Sequence, residues 1–467
     1  GTGAYYAYDY AFKYQRLHRN VRTVWTFGAV VFNYKVMYAM NPDSLSDIHT
    51  RVANHIASTC TRNGGLYIKL GQSIASMNHI LPKEYRAAFE VLQDRAPACS
   101  YNEIEHLFKE EFDGERPETV FKEFNPVPIA SASVAQVHKA MLHDGTPVAV
   151  KIQKPSILVQ MKWDLFMYQC CVWALEKMFD LPMYWAVGFT KRTFMKEADF
   201  LNEAQNCRVA KSMFSDRRIA PAEIRNHVYV PDVHSSLTTS RVLTMEWIDG
   251  VKITDGDRLA GMGVSRHDVL HTFVSAFGYQ IFKTGFVHCD PHPGNVMVRK
   301  QQNGTHQVVL LDHGMYIEER EDFRENFARF WRAVFLLDHS TMFKVCRKWG
   351  ITDPDFFASL QLMRPFDGEQ PVHVGNGTAG GQESEQSREQ LRQRKRDRRN
   401  AHRTVKSRFR QLLSDTRNLP RELIFVGRCL NHVRAVNKEL GSPVNRINIL
   451  VNYAAQQESF SLLSWAQ

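Results

Sequence analysis

The feature that most constrains this chain is a set of three polar residues placed around two short apolar runs. Asp290 and Asn295 precede the first run, residues 296–300, and Asp312 lies near the end of the second, residues 306–314. An Asn-Gly pair between the runs is a hairpin turn signal, so the sequence predicts two paired strands. Mg²⁺ prefers one or two carboxylates completed by phosphate oxygens, so ligands from such a hairpin would suffice to hold it.

The spacing of these residues matches that of two protein-kinase loops. Asp290-x-x-x-x-Asn295 corresponds to His-Arg-Asp-x-x-x-x-Asn, and Asp312-x-Gly314 corresponds to Asp-Phe-Gly. In this interpretation Asp290 orients or deprotonates the phosphoryl acceptor, whereas Asn295 and Asp312 are metal ligands. Phosphoryl transfer depends mainly on positioning and charge neutralisation, which such groups supply. Each motif alone is commonly a chance match or a turn, so the interpretation depends on the rest of the sequence.

The order of predicted elements agrees with a kinase-like chain. The β-rich runs 120–124, 136–142 and 147–153 are separated by turn signals and predict an antiparallel meander. A long helical stretch, residues 156–215, follows, and after further strands the helical spacing of apolar residues resumes at His267. We therefore expect a small sheet with one long helix, followed by a larger helical lobe.

The third predicted strand contains Val148-Ala149-Val150-Lys151, which matches the Val-Ala-Ile-Lys strand whose lysine reaches the α- and β-phosphates. Such a lysine needs a carboxylate to hold it, and Glu197, Asp199 and Glu203 are available on the long helix. At 100° per residue Asp199 and Glu203 share a face, whereas Glu197 points about 240° away from Glu203. One helix could thus serve the nucleotide on one face and another group on the other, although acidic helix faces are usually just solvated.

Two further segments are predicted to contact the nucleotide. Residues 128–136, PIASASVAQ, replace the Gly-x-Gly-x-x-Gly loop of ordinary kinases. Their small side chains allow close backbone approach, but each Cβ restricts φ and ψ, so we expect a stiffer loop and a different nucleotide preference. The nucleotide-facing residues of this loop are Ala130, Ser131, Ala132 and Ser133. Glu246 and Trp247 follow a predicted strand and resemble a hinge that receives adenine.

A helical segment ahead of the sheet carries Lys69-x-Gly71-Gln72. Lys69 and Gln72 are three residues apart and project from one helix face. Gly71 inside a helix costs about 1 kcal/mol relative to Ala, which suggests tight packing there. We expect a regulatory role for this segment; a routine helix with a solvated lysine is the alternative.

Together these motifs resemble the UbiB family of atypical kinases, also called aarF-domain-containing kinases. The resemblance runs continuously and in motif order over about residues 50–340, and further segments are most similar to the mitochondrial animal and fungal branch, particularly its fifth animal paralogue. The motifs that carry it are KxGQ (69–72), PIASASVAQVH (128–138), VAVKIQ (148–153), EADFLNEAQN (197–206), HCDPHPGN (288–295) and LLDHG (310–314).

The resemblance implies an α+β, two-lobed protein-kinase-like fold with a small antiparallel sheet lobe, a larger helical lobe and an N-terminal helical extension over the peptide cleft. It also implies Mg²⁺ and ATP (or ADP) as cofactors. Activity is expected to be ATP hydrolysis or phosphotransfer in ubiquinone and mitochondrial lipid homeostasis, at the inner mitochondrial membrane. Expected partners are the nucleotide and membrane lipid or isoprenoid and quinone pathway proteins. The residues at the matching positions are Lys151, Glu203, Asp290, Asn295 and Asp312, with Lys69, Gly71, Gln72, Glu197 and Asp199 as regulatory residues.

Two departures from the usual patterns bear on activity. Ser131 stands where the family usually has Ala, and His313 replaces the Phe beside the metal-binding Asp of ordinary kinases. A polar ring is therefore expected where an apolar residue normally packs. This departure and the covering extension motivate an alternative function, a non-catalytic nucleotide-binding scaffold or regulator of a membrane-associated complex.

Composition argues against a nucleic-acid binder. The net charge is +10 and the pI near 9.1, but residues 392–410 alone hold ten Lys or Arg and one acid, so the rest of the chain is nearly neutral. The eight cysteines show no CxxC pair, which favours reduced thiols in an interior compartment. A zinc site at His288, Cys289 and His292 would lack a second ligand group at metal spacing.

The chain begins with Gly, so we expect that an N-terminal part is missing. The apolar run 23–34 is shorter than the roughly twenty residues that a spanning helix needs, which leaves an interfacial helix or an ordinary packed one. The predicted segments are 1–60 (N-terminal helical, a candidate membrane-proximal segment), 61–116 (helical extension), 117–250 (N-lobe), 251–365 (C-lobe), 366–410 (basic flexible insertion) and 411–467 (C-terminal helices).

Overall fold

The computed structural model describes residues 16–41, 44–75, 82–89, 92, 98–179, 184–364, 366 and 419–457. The chain forms two compact units, each described separately below. Unit 1 comprises residues 1–178, 186–264 and 290–316, and unit 2 comprises residues 179–185, 265–289 and 317–467. Residues 290–316, which carry the predicted metal ligands, thus cluster with the N-terminal part of the chain. The predicted basic insertion, 366–410, lies outside the described residues apart from Phe366.

The described part of unit 1 begins with helices. A short π-helical stretch, Asn33–Met37, follows the first of them. The described helices are α1 (Arg16–Phe32), α2 (Tyr38–Met40), α3 (Leu45–Asn63), α4 (Gly65–Ala75), α5 (Lys83–Phe89), α6 (Tyr101–Glu111) and α7 (Pro117–Val120).

A five-stranded antiparallel sheet follows, formed by β1 (Glu123–Phe124), β2 (Ala130–Ser131), β3 (Ala135–Met141), β4 (Pro147–Gln153) and β6 (Val242–Glu246). Strand β4 lies between β3 and β6, and Lys151 is opposite Val137 on one side and Leu243 on the other. Alternate residues of β4 are buried beneath α6, where Val148 and Val150 pack with Phe108. The predicted meander is confirmed, although the first strand is only two residues long because 117–120 form α7.

The predicted long helix 156–215 is wrong as a single element. It is three helices, α8 (Ser156–Phe179), α9 (Val187–Glu197) and α10 (Phe200–Ser215). The side chain of Asp199 accepts a hydrogen bond from the Leu201 backbone N–H and caps α10. Asp is among the preferred N-cap residues, so a new helix begins here although helical spacing of apolar residues continues on both sides.

A second sheet in unit 1 has the order β5–β10–β9–β7. After α11 (Ala222–His227) come β5 (Val228–Tyr229), β7 (Val251–Lys252), β9 (Val296–Lys300) and β10 (His306–Leu310), with α12 (Gly256–Gly261) following β7. Strands β9 and β10 pair antiparallel from His306–Lys300 to Leu310–Val296. The predicted hairpin is therefore confirmed, and its two ends carry Asn295 and the residues leading to Asp312.

Unit 2 is mainly helical. Gly278 of α13 lies so close to Tyr453 that a Cβ at this position would stand 2.7 Å from the ring, so a larger residue would push these helices apart. Phe282 stacks on Phe327, and Trp331 contacts Phe327 edge-on. The described elements are α13 (Arg266–Tyr279), β8 (Phe286–His288), β11 (Tyr316–Glu318, whose first residue is in unit 1), α14 (Glu321–Leu336), α15 (His339–Lys348), α16 (Pro354–Leu362), α17 (Glu422–Glu439) and α18 (Arg446–Ala455).

Helix α1 buries polar side chains and exposes apolar ones, the reverse of an ordinary surface helix. Arg19, Thr23 and Thr26 are buried on its inner side, where Arg19 pairs with Asp164 of α8. Its outer side is apolar instead, and Trp25 is 74% exposed. Among the described residues, no helix combines the length and apolar character needed to cross a bilayer.

The α+β, protein-kinase-like fold class predicted from the sequence is confirmed. It consists of a small antiparallel sheet, a mainly helical unit and an N-terminal helical extension. Lys151 lies on β4, Lys69 in the middle of α4 and Glu203 in the first turn of α10. Asp290 and Asp312 lie in the loops that follow β8 and β10 in the chain.

Candidate functional site

Lys151 is the centre of the first group of charges. Its ammonium donates to both carboxylate oxygens of Glu203, at 2.7 and 2.9 Å, and to Asp312 Oδ2 at 3.0 Å. The Glu203 side chain is 1% exposed, and burial raises its pKa to about 7 although Lys151 acts in the opposite direction. Burial alone would lower the pKa of Lys151, but Asp312 and Glu203 together raise it above its ordinary value. The lysine is therefore held charged between two acids.

Lys69 forms a second, similar group. This residue of α4 lies 2.6 Å from Glu197 Oε1 and donates to Asp290 Oδ2 at 3.0 Å. The three side chains are only 11–15% exposed. The alternative of a routine solvated lysine is therefore wrong. Asp290, the predicted acceptor-orienting acid, is paired with a cation from the helical extension.

Both groups meet at Asp312. Burial tends to raise the pKa of Asp312, but Lys151, Lys69 and the Gly314 N–H hold it well below its usual range. Gly314 donates to Asp312 Oδ1 at 3.0 Å. A Cβ on Gly314 would stand 3.2 Å from Glu197 Cγ, 3.3 Å from Asp312 Oδ1 and 3.6 Å from Glu203 Oε2. The absence of a side chain at Gly314 thus lets three acidic side chains approach the same point.

The predicted division of the acidic residues between two helix faces is wrong. Because α9 ends at Glu197 and α10 begins at Phe200, Glu197 and Glu203 belong to different helices and both approach Gly314. Asp199 is exposed and caps α10, so it does not share the site with Glu203.

Asn295 ends a short 3₁₀ turn, Pro293–Asn295, that forms the last part of the catalytic-loop motif. Its carbonyl accepts a hydrogen bond from the Leu311 N–H at 2.9 Å. This bond fixes the Asn295 backbone beside the chain that leads to Asp312.

Sequence analysis identified His313 only as a departure from the kinase pattern, and the structure shows its partners. The ring is buried, and its Nε2 lies 3.0 Å from the Leu310 carbonyl oxygen, which can only accept. Nε2 therefore carries the proton, and Nδ1 accepts from the Tyr316 hydroxyl at 2.9 Å. Asn206 also donates to the His313 carbonyl at 2.8 Å. Tyr316 and Asn206 were missed, although Asn206 ends the acidic motif that sequence analysis singled out.

The predicted nucleotide loop is short, and hydrogen bonds fix its backbone. Ala130 and Ser131 form β2, and Ser133 is buried. The Ala132 N–H donates to the Ala135 carbonyl at 2.8 Å. A buried lysine that sequence analysis missed, Lys154, donates to the Ala132 carbonyl at 2.7 Å. These bonds agree with the expected stiffness, while nucleotide contact stays a prediction.

At the predicted hinge both side chains have protein partners. Glu246 accepts from the Tyr229 hydroxyl at 2.6 Å and from the Asp232 N–H at 3.2 Å. The Trp247 indole N–H donates to Asp249 at 2.8 Å, and the Lys139 ammonium lies 4.5 Å from its ring centroid. Adenine contact at these two residues therefore also stays a prediction.

Helix α4 packs tightly, as its glycine suggested. A Cβ at Gly71 would stand 2.3 Å from a Leu92 methyl carbon and 3.4 Å from Cys60 Sγ. Gln72 donates to the Leu92 carbonyl at 2.9 Å. The glycine and glutamine therefore fix the helix, while Lys69 reaches the acidic groups.

The donor set suits a hard cation. Asn295 and Asp312 supply an amide oxygen and a carboxylate, which are ligands that Mg²⁺ takes together with phosphate oxygens. Within the described ranges, no group of three or more His, Cys, Asp or Glu side chains is arranged to hold a metal. Two ammonium groups now offset the carboxylates, so the residues fit a site that is completed by a cation and phosphate together.

Comparison with known proteins places the chain in a family. Residues 91–346 match the model of the ABC1 atypical kinase-like domain. ABC1 family protein C10F6.14c of Schizosaccharomyces pombe is 37% identical over 97% of this chain and 81% of its own length. Mouse AarF domain-containing protein kinase 1 is 31% identical over 85% of this chain and 72% of its own length. The solved structure of Rv3197–erythromycin from Mycobacterium tuberculosis is 21% identical, with a TM-score of 0.47, over 86% of this chain and 100% of that one.

These relatives confirm the family but not the finer branch. The mouse relative carries the number one in its name, whereas the sequence motifs predicted the fifth animal paralogue, which stays a prediction. The family model covers more than half of the chain and includes all the acidic residues described above. On this evidence the chain belongs to the ABC1 family of atypical kinases, the UbiB or AarF family.

Proposed function

We propose that the chain is a Mg-ATP-binding enzyme that hydrolyses ATP or transfers its γ-phosphate. The observation that carries this proposal is the meeting of the Lys151–Glu203 and Lys69–Asp290 pairs at Asp312, all within unit 1. Groups whose pKa is strongly shifted by burial together with a specific charged partner cluster at functional sites.

Each residue has a distinct part in the proposed chemistry. Lys151, oriented by Glu203, binds the α- and β-phosphates. Asn295 and Asp312 hold Mg²⁺, which when bound neutralises phosphate charge. Asp290 orients the attacking hydroxyl or water and accepts its proton. The low pKa of Asp312 keeps it ionised at neutral pH, as a metal ligand must be.

The test is phosphate release from Mg-ATP by the purified chain, with and without phospholipid vesicles or a soluble quinone head-group mimic. We expect turnover that falls about 100-fold or more in Asp312→Asn, because one negative ligand is lost. Asp144→Asn is the matched control, since Asp144 lies on the exposed β3–β4 turn. Absence of turnover in the wild type under every condition would overturn the catalytic proposal.

A specific observation favours a second candidate, a non-catalytic nucleotide-binding scaffold. The Lys69 ammonium is bonded to Asp290, the residue that would orient the nucleophile. A protein that only binds the nucleotide has no need of a free carboxylate there. In that case Mg-ATP raises the melting temperature of wild type and Asp290→Ala alike, and Asp290→Ala keeps its cellular function.

We further propose that unit 1 contacts a membrane surface through α1. The exposed apolar side chains of residues 16–40 are Val21, Val24, Trp25, Phe32, Val36 and Met40. This stretch has no acidic residue, and besides the buried Arg19 its basic residues are Arg16, Arg22 and Lys35. Burying arginine and threonine while exposing tryptophan is unfavourable in water but suits an interfacial helix against anionic lipid. The predicted mitochondrial inner membrane and quinone or isoprenoid pathway partners rest on the family resemblance and belong to this proposal.

Vesicle flotation tests the membrane contact. We expect wild type to float with cardiolipin-containing vesicles and Trp25→Ser to float several-fold less, because a large apolar anchor is lost. Phe343→Ser is the matched control, since Phe343 is 54% exposed on α15 of unit 2. Equal flotation of the two variants would exclude α1 as the contact.

A further inference from the structure

Unit 2 contains three arginines that no described acid neutralises. Arg446 is the first residue of α18, Arg434 lies on α17, and Arg364 follows α16. Arg446 is 9% exposed, and its Nη2 donates to the Leu362 carbonyl at 2.5 Å. Its Nη1 and the Nε of Arg364 are buried and have no hydrogen-bond partner among the described residues.

The charges of Arg434 and Arg364 act on the guanidinium of Arg446. Burial, and then the charges of Arg434 and Arg364, lower the pKa of Arg446 to about 10, and burial lowers that of Arg364. Over the part of the chain that the structure describes, the ion pairs within 4.0 Å include no acidic partner for any of the three. Buried charges are normally paired, because an unpaired one keeps the full cost of leaving water.

The helix adds to the positive potential at this point. α18 is ten residues long, and its N-cap Asn445 accepts from the Asn448 N–H at 3.3 Å. The buried Asn437 donates to the Val444 carbonyl at 3.1 Å and holds the preceding turn. The N-terminal end of a helix carries partial positive charge and favours anions. A helix N-terminus and a buried, partly unbonded guanidinium thus coincide.

We propose that Arg364, Arg434 and Arg446 form an anion site, called the arginine cluster below, that binds a phosphate group. Three positive charges exceed what one carboxylate offsets, whereas a phosphate carries up to two negative charges. Its oxygens also match the paired N–H groups of guanidinium. The group is either free phosphate or the headgroup of a phospholipid, since both present the same chemistry. The cluster shares no residue with the proposed nucleotide site and goes beyond the proposed function.

The test measures thermal unfolding of the full chain without nucleotide, as inorganic phosphate is raised at constant ionic strength. We expect the melting temperature to rise by about 2–4 °C near saturation, because phosphate binds the folded state alone. Arg446→Met should lose this response and bind phosphate at least about tenfold more weakly. Without phosphate this variant should be as stable as wild type or more so, since an uncompensated buried charge is removed. Arg347→Gln, at an exposed position on α15, should behave as wild type.

Two vesicle arms distinguish the sources of phosphate. Binding of phosphatidic acid vesicles, but not phosphatidylcholine vesicles, with dependence on Arg446 would assign the cluster to a lipid headgroup. A response to inorganic phosphate alone would assign it to the free ion. Arg434→Gln should weaken whichever response is found.

The proposal is overturned if phosphate and vesicle responses are unchanged in Arg446→Met and Arg434→Gln. It is also overturned if neither ligand gives a response and Arg446→Met lowers stability, which would indicate that the charge of Arg446 already stabilises the folded state without an anion. Binding of Mg-ATP is measured in the same variants. Its retention in Arg446→Met separates failure of the arginine cluster from failure of the proposed nucleotide site.

Discussion

The two lysine groups of unit 1 are built alike but differ in origin. Lys151 lies on a central strand and bonds Glu203 and Asp312, whereas Lys69 lies on a helix of the N-terminal extension and bonds Glu197 and Asp290. Each ammonium is therefore shared by one helix-terminal glutamate and one aspartate of the catalytic-loop or metal-loop motif.

The difference between the groups suggests different parts in a reaction cycle. Lys151 belongs to the sheet, and its partners already have the arrangement that phosphate binding requires. We therefore expect the Lys151 side chain to keep its position when the nucleotide binds. Lys69 comes from a separate helical layer and bonds the acid that would orient the nucleophile. We infer that Lys151 supports nucleotide binding, whereas Lys69 restrains turnover.

Replacement of Lys151 should have the largest effect. In Lys151→Met we expect Mg-ATP turnover to fall about 100-fold or more, because a charged contact to the phosphates is lost. The free energy of unfolding should also fall by about 3 kcal/mol, since Glu203 is left buried without its cation. Steady-state phosphate release and urea unfolding measure the two effects. Lys122→Met, at an exposed position before β1, is the control. Unchanged turnover would remove Lys151 from the site.

Replacement of Lys69 should act in the opposite direction and more weakly. In Lys69→Met we expect turnover to rise about fivefold, which corresponds to roughly 1 kcal/mol, because Asp290 is freed from a partly buried ion pair. Glu197 and Asp290 then lose their ion pairs with Lys69, so the melting temperature should fall. Parallel assays of Lys69→Met and Lys151→Met decide the comparison. A decrease of turnover in both would mean that the two groups have the same role.

The Lys151 group could be predicted from sequence because its members occupy fixed positions in short motifs. Val-Ala-Val-Lys predicts a strand and Asp-x-Gly predicts a turn, each from neighbouring residues alone. The hairpin between Asn295 and Asp312 is likewise predicted by its turn residues. The pairing of Lys69 with Asp290 joins residues 221 positions apart. No local pattern specifies such a contact, because it depends on how the extension packs.

The break between Glu197 and Phe200 shows a second limit. Helical spacing of apolar residues continues across it, and Asp199 suits both an acidic helix face and an N-cap. Its φ of −99° and ψ of 109° are extended, so the helix ends there and the faces on its two sides are unrelated. The hydrogen bond between the Tyr316 hydroxyl and His313 Nδ1 could not be predicted from sequence either. It depends on the folded conformation of the loop that joins the two residues.

Glu203 allows a pH test that separates the two lysine groups further. Its folded pKa of about 7 is above the ordinary carboxyl value, so the folded state binds this proton more tightly than the unfolded state. Its contribution to the free energy of unfolding is therefore fully present below about pH 4.5 and is lost as the pH rises to about 7. The folded pKa of Asp312 is lowered, so this residue makes the free energy of unfolding depend on pH only below about pH 4. There its stabilising contribution is lost as the pH falls.

We expect urea unfolding of wild type between pH 4.5 and 7 to show this loss, with a slope of at most about 1.4 kcal/mol per pH unit. Glu203→Gln should lack the slope because it carries no titrating proton. Glu197→Gln, in the Lys69 group, should keep it. An equal slope in all three proteins would show that Glu203 does not titrate in this range.

The smallest expected effect concerns the cap between the two groups. Asp199→Ala removes the side chain that accepts from the Leu201 N–H at 3.0 Å, and should lower the free energy of unfolding by about 1 kcal/mol. Asp199→Asn keeps an oxygen acceptor and should cost less. Because α10 carries Glu203 and α9 carries Glu197, fraying of this cap should loosen the Lys151 group first. Hydrogen exchange of the first turn of α10 measures this loosening, and equal exchange in Asp199→Ala and Asp199→Asn would show that the cap does not hold Glu203 in place.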